Sequence, residues 1–231
     1  MNEKNILTDV MGTISPASFL ETIMEDFKQN GESFIQSFAD PDFMRIVENL
    51  RKESGKTTPA EIVKYVADQL NKRVLSPDYL ALSGAVTVDA YLSKRLQAPF
   101  FDDVPATFSR WTKEEGKTLY IFSNGSEHSQ RVMFLNATLV PSAARTNLAA
   151  YVNGRFIDTA DAGKKNNSDS YLRIADKIIK AAPEEIHFLS DLVEELDAAC
   201  KAGMPVTMVN RPGNKPQPVN KYNAVTSFAD L

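Results

Sequence analysis

The 231-residue chain reads as an α/β protein: a Rossmann-like parallel-sheet core whose first strand is followed by an inserted helical cap. Three observations predict this. Short continuous apolar runs recur at 6–10, 118–122, 186–189 and 206–209, and several end in Asp, Ser or Asn. Unbroken apolar runs of that length mark strands covered on both faces. Segments with helical periodicity lie between the later runs. The stretch 17–100 contains no convincing strand and breaks into helix-length pieces.

The first run, Ile6 to Val10, carries Asp9 ahead of a Gly12-Thr13 turn. A carboxylate at a strand's carboxyl end is where such a fold can present a nucleophile. In 17–100 the breaks fall at Asp40-Pro41, Gly55 to Pro59 and Ser76-Pro77, and Phe34, Ile35, Phe38, Ile46, Val47 and Leu50 recur at helical spacing. The predicted division is therefore a core of 1–16 and 101–231 with a cap of 17–100. Helices are expected at 104–115, at 168–182 ended by Pro183, and at 191–202 ended by Gly203. The Pro/Asn-rich stretch 211–222 reads as a surface excursion, and the C-terminus as loosely packed.

Composition narrows the function classes. A net charge of -4 gives no basic footprint for nucleic acid. No apolar run approaches the ~20 residues of a membrane span, and the start lacks a signal-peptide pattern. The lone Cys200 excludes an intrachain disulfide framework and reads as a small buried helix residue. The expectation is a cytoplasmic protein, a monomer or weak dimer, with no nucleic-acid or membrane partner.

Four positions carry the chemistry. Asp9 is the first. Ser123-Asn124-Gly125-Ser126 follows an apolar strand, and a hydroxyl with backbone amides in such a turn can cradle phosphate oxygens. Lys165 precedes a helix and could face a phosphate. Asp191 follows the strand IHFLS with Glu194, Glu195 and Asp197 nearby, oxygen ligands suited to magnesium. In one doubly wound sheet these would meet at its carboxyl edge.

These residues resemble a known pattern. Asp9-x-x-Gly12-Thr13 followed by Ser15-Pro16-x-Ser18-Phe19 is similar to the first motif of the haloacid dehalogenase-like hydrolases, and more narrowly to the enolase-phosphatase (acireductone synthase) family of methionine salvage. The likeness continues through YIFSNGSEHSQRVMF, IDTADAGKKNNSDSYLRIA and FLSDLVEELDAACKAGMPVTMVNRPGN. It implies a magnesium-dependent phosphatase acting on a small phosphorylated metabolite through an aspartyl-phosphate, with a cap that closes to exclude water. By the same resemblance Asp9 is the nucleophile and a metal ligand, and position 11 lends magnesium its backbone carbonyl. Ser123 and Asn124 hold the phosphate, Lys165 neutralises it and Asp191 completes the metal site.

The chain departs from the pattern at Met11, where the family has Glu and most related phosphatases an Asp acid/base. It departs again at Asn124, and at Thr87, where a cap Trp is expected although Gly84 and Tyr91 persist. Methionine can neither donate nor accept a proton. Two further readings stay open at this point. One is a non-catalytic or weakened relative that binds a ligand or partner. The other is a metal-independent 2-haloacid dehalogenase-like hydrolase, because those enzymes also lack the second carboxylate. His128, just after the phosphate turn, is a candidate replacement acid; His187 reads as structural.

Overall fold

The structure, a computed structural model, describes residues 3–219 and 221–231. Its elements run β1 (Asn5–Thr8), α1 (Phe19–Ser37), α2 (Pro41–Ser54), α3 (Pro59–Asn71), α4 (Pro77–Leu92), β2 (Ala98–Phe101), α5 (Val104–Ser109), β3 (Thr118–Ser123) and α6 (Glu127–Leu135). They continue with β4 (Ala137–Val140), β5 (Arg145–Thr146), β6 (Phe156–Asp158), α7 (Thr159–Ala162), α8 (Ser168–Arg173), β7 (Ile186–Ser190), α9 (Val193–Lys201), β8 (Val206–Val209) and β9 (Ala224–Val225).

Six of the strands form one parallel sheet in the order β6-β3-β1-β7-β8-β9. β1 is central, paired with β3 on one side and β7 on the other, with Thr8 opposite both Ile121 and Leu189. The chain leaves β1 toward β3 and β6, then returns to the other side through β7 and β8. The carboxyl ends of β3, β1 and β7 therefore surround a topological switch point. All five residues of β7 are buried, as expected of a strand covered on both faces.

Packing divides the chain into two compact units, Met1–Phe19 with Ala98–Leu231, and Leu20–Gln97. The helical unit follows from its caps and seams. Asp40 accepts from the Phe43 amide at 2.9 Å ahead of Pro41. Thr58 and Glu61 form a reciprocal capping box ahead of Pro59, and each such device stops one helix and starts the next. Phe43, Val47 and Leu50 from α2 meet Ile62, Val63 and Val66 from α3 and Tyr79, Leu82 and Val86 from α4 in one buried cluster. Within α4 the Thr87 hydroxyl donates to the Ser83 carbonyl at 2.8 Å.

Several details differ from the sequence reading. A second sheet, β2-β4-β5, packs in the first unit, with β2 beginning at Ala98. The helices expected at 104–115 and 168–182 are α-helical only at first, and widen into π-turns at Arg110–Glu114 and Ile174–Ile179. Cys200 is exposed rather than buried, on the outer face of α9. The C-terminus is not loose: Phe228 is fully buried, with its ring 5.4 Å from that of Trp111.

Candidate active site

Asp9 lies one residue beyond β1, and its amide continues the sheet by donating to Leu189 O at 2.9 Å. The chain then turns tightly. The Val10 carbonyl receives the amides of Thr13, Ile14 and Ser15 at 3.3, 3.0 and 3.0 Å, and the Gly12 amide donates to Ser15 O at 2.7 Å. Gly12 adopts φ +90°, and a Cβ there would fall on the Asp191 carboxylate. The turn thus needs glycine both for its backbone and for the space beside Asp191.

Thr13 links the two acids. Its hydroxyl donates to Asp9 Oδ2 at 3.2 Å and accepts the Asp191 amide at 3.1 Å. Lys165, in the turn before α8, pairs with Asp9 Oδ1 and lies 2.9 Å from Glu195 Oε2. The backbone that presents Lys165 is held by α8, whose Tyr171 hydroxyl donates to Lys165 O at 2.8 Å and whose Ser170 hydroxyl donates to Lys164 O at 2.7 Å. Ser190 donates to Glu195 Oε2 at 2.8 Å. Asp9, Lys165, Asp191 and Glu195 are all buried.

One lysine among three buried carboxylates sets the electrostatics. Burial opposes the charge on Lys165, but Asp9 and Glu195 outweigh it and hold the ammonium protonated well above its ordinary range. Burial, followed by the charges of Asp9 and Glu195, pushes Asp191 up to about 8. Burial, reinforced by Asp9 and opposed by Lys165, raises Glu195 to about 7. Positive charge placed among these acids would favour their ionised forms.

The donor set fits a hard divalent cation. Asp191 Oδ1 is buried without a hydrogen-bond partner, and the Met11 carbonyl accepts no hydrogen bond among the described residues. No group of three His, Cys, Asp or Glu side chains forms a metal cage among those residues. Magnesium does not need one, since it takes one or two carboxylates and keeps several waters.

Ser123 ends β3 beside β1, and the following turn is held from beneath. Gln130, buried on α6, donates through Nε2 to Gly125 O at 2.7 Å and to Ile157 O at 2.9 Å. Ser123 and Asn124 are half-buried at the same sheet edge as Asp9, and the structure shows no side-chain bond from either to Asp9, Lys165 or Asp191. His128 is exposed on the first turn of α6. His187 is at the opposite end of the sheet, with its ring nitrogens 3.0 Å from Glu3 Oε2 and 2.8 Å from Thr207 Oγ1.

Sequence reasoning missed four side chains at this edge of the sheet. Among the acids after β7 it did not single out Glu195, the one that α9 turns toward Lys165. Gln130 passed as an ordinary helix residue. Arg211 and Asn214, read as part of a surface excursion, reach the turn after Asp9 instead: Arg211 Nε donates to Thr13 O at 2.9 Å and Asn214 Nδ2 to Gly12 O at 2.7 Å.

A central carboxylate, a paired lysine and a second acid on the next strand, on this strand order, define a haloacid dehalogenase-like hydrolase. The fold is shared with a haloacid dehalogenase-like protein of Agrobacterium tumefaciens, at 17% identity and TM-score 0.54 over 99% of this chain and 96% of that one. No family model matches the chain. It is 32% identical to the enolase-phosphatase E1 of Persephonella marina over 99% of its own length and 98% of the relative's. The crystal structure of the UTR4 protein of Saccharomyces cerevisiae superposes with TM-score 0.78 at 28% identity, covering 100% of both chains. The chain belongs to the enolase-phosphatase E1 family.

Proposed function

We propose that this chain hydrolyses a small phosphorylated metabolite with magnesium, through an aspartyl-phosphate on Asp9, in the enolase-phosphatase reaction of methionine salvage. The observation that carries the reading is the joint anchoring of Asp9 and Asp191 by the Thr13 hydroxyl, with Lys165 paired to Asp9 and Asp191 Oδ1 left without a partner. The helical unit Leu20–Gln97 is the cap in this reading.

Asp9, Asp191 and the Met11 carbonyl would hold magnesium. The metal would supply positive charge for the phosphate oxygens and for the crowded carboxylates. Asp9 attacks phosphorus, the bond from phosphorus to the ester oxygen breaks, and the phosphoryl group is carried on the Asp9 carboxylate. Water then attacks that phosphorus, releasing inorganic phosphate and restoring Asp9. Thr13 keeps one Asp9 oxygen engaged, which orients the other. Lys165 offsets the repulsion between nucleophile and phosphate, and the turn from Ser123 to Ser126 receives the phosphate oxygens. Glu195, 2.9 Å from the Lys165 ammonium, holds Lys165 in place.

Met11 has no proton to give the departing oxygen. An enol phosphate releases an enolate, whose charge is delocalised, so the family's substrate class makes the smallest demand on the missing acid. The test is phosphate release from p-nitrophenyl phosphate and from an enol phosphate, with and without magnesium, for the parent and Asp9→Asn. Magnesium-dependent release lost in Asp9→Asn is expected. Undiminished release by Asp9→Asn, or release independent of magnesium, would overturn the reading.

A further inference from the structure

Two side chains of one loop hold two consecutive carbonyls of the nucleophile turn. The loop follows β8. Its Arg211 takes Thr13 O at 2.9 Å, and its Asn214, three residues on, takes Gly12 O at 2.7 Å. Asn214 Nδ2 also lies 3.5 Å from Asp191 Oδ2. Arg211 is only 4% exposed. Its guanidinium lies over the rings of Phe101 and Phe228, at 4.4 and 4.9 Å, and Nη1 donates to Asp103 Oδ2 at 2.6 Å. The same Asp103 oxygen accepts from the Ser227 hydroxyl and the Phe228 amide, both at 2.7 Å. The pairing outweighs burial and holds the Asp103 carboxyl below its usual range.

We infer that Arg211 and Asn214 are positioning residues for the catalytic turn, acting on Asp9 and Asp191 through the peptides of Gly12 and Thr13. The inference rests on the reading of Asp9 and Asp191 given above. The route is short. The carbonyl held by Arg211 belongs to Thr13, whose hydroxyl orients Asp9 and anchors the Asp191 amide. The carbonyl held by Asn214 belongs to the glycine against which the Asp191 carboxylate packs. A planar guanidinium can donate to Thr13 O and Asp103 together while lying against two rings; an ammonium cannot. The C-terminal segment enters the same clamp, since Ser227 and Phe228 fix the Asp103 carboxylate that Arg211 grips.

The test compares the parent with Asn214→Ala, Arg211→Lys and Arg211→Met. Hydrogen exchange of residues 10–15 is followed in metal-free protein, with β7 and β8 as internal reference, beside kcat and KM for p-nitrophenyl phosphate with magnesium. Residues 10–15 are expected to exchange at least about tenfold faster in Asn214→Ala and Arg211→Met, with the reference strands unchanged. Supporting groups of this kind typically change activity by about 10–100-fold, and the loss should fall on kcat with KM nearly constant. Arg211→Lys, keeping one donor, should lie between parent and Arg211→Met. Asn214 is half-buried on a loop, so Asn214→Ala carries the test if Arg211→Met does not fold. Unchanged protection of residues 10–15 in folded Asn214→Ala and Arg211→Lys would overturn the inference. A parent without phosphatase activity would instead count against the proposed function, and the exchange comparison would still stand.

Discussion

Gly12→Ala separates two contributions that the structure places at one residue. The first is backbone strain: φ is +90° at Gly12, and an L-residue in the left-handed region costs about 1–2 kcal/mol. The second is steric. The new Cβ would lie 2.8 Å from Asp191 Oδ1 and closer still to Oδ2 and Cγ, so the carboxylate must move by about an ångström to reach ordinary contact. Displacing a buried group this way typically costs about 1–3 kcal/mol. Gly116→Ala is the control, because φ is +65° there and nothing lies within 4 Å of the added Cβ. The expected losses are about 3 kcal/mol for Gly12→Ala and about 1.5 kcal/mol for Gly116→Ala. At about 2–4 °C per kcal/mol for a chain of this size, these correspond to about 6–12 °C and 3–6 °C in Tm. Urea unfolding with and without magnesium adds the sharper reading. A ligand at a hundred times its Kd stabilises by about 2.7 kcal/mol, and Gly12→Ala should lose most of that gain while Gly116→Ala keeps it. If Gly12→Ala loses no more stability than Gly116→Ala and retains the full magnesium effect, the placement of Asp191 against the Gly12 turn is wrong.

Two further outcomes follow from single residues. Met11→Glu should raise kcat on an alkyl phosphate by about 10²–10⁴-fold, the usual worth of general acid–base help, and by much less on p-nitrophenyl phosphate, whose leaving group departs without a proton. Equal gains on both esters, or none, would show that position 11 does not govern protonation of the leaving group. His187→Gln should flatten the acid limb of the stability profile. Burial lowers the His187 pKa below its ordinary 6.5 despite the bond to Glu3, so below 6.5 the unfolded chain binds the proton that the folded one resists and stability is lost as the pH falls. Urea midpoints measured above and below 6.5 should converge in His187→Gln; a parent-like slope would count against this.

What the sequence revealed depended on whether a local pattern and its tertiary reason coincided. β7 is buried on both faces, so its burial is written into consecutive residues as Ile-His-Phe-Leu-Ser. The helix breaks at Asp40 and Thr58 were legible because a capping side chain and the proline after it are adjacent in sequence. The small sheet was hidden: β2 and β4 are four residues each, β2 alternates between buried and half-buried and β4 buries only Ala137, with Pro99 and Thr138 breaking any apolar run. The π-turns after α5 and α8 add one residue per turn without changing composition, so helical spacing cannot distinguish them. Arg211 was unreadable for a different reason. Its setting of Pro212, Gly213 and Asn214 has the composition of an exposed loop, while the groups that bury it, Phe101 and Phe228, lie outside that stretch. Of the three acids Glu194, Glu195 and Asp197, only the helix phase of α9 decides that Glu195 meets Lys165.

On the proposed reading, Met11 loses one task of its position and keeps another. The turn that carries it is closed by backbone bonds alone, three amides on Val10 O and the Gly12 amide on Ser15 O. Arg211 and Asn214 grip its next two carbonyls from outside. Nothing in that scaffold uses the side chain at position 11, so its replacement leaves the Met11 carbonyl where a metal would need it. Proton transfer has no such backing, because it depends on the side-chain atoms themselves. On the proposed reading, then, substitution at this residue changes which esters are cleaved fast rather than whether the phosphate and metal are held. Selection by leaving-group stability follows from the chemistry of a thioether standing where a carboxylic acid would otherwise be.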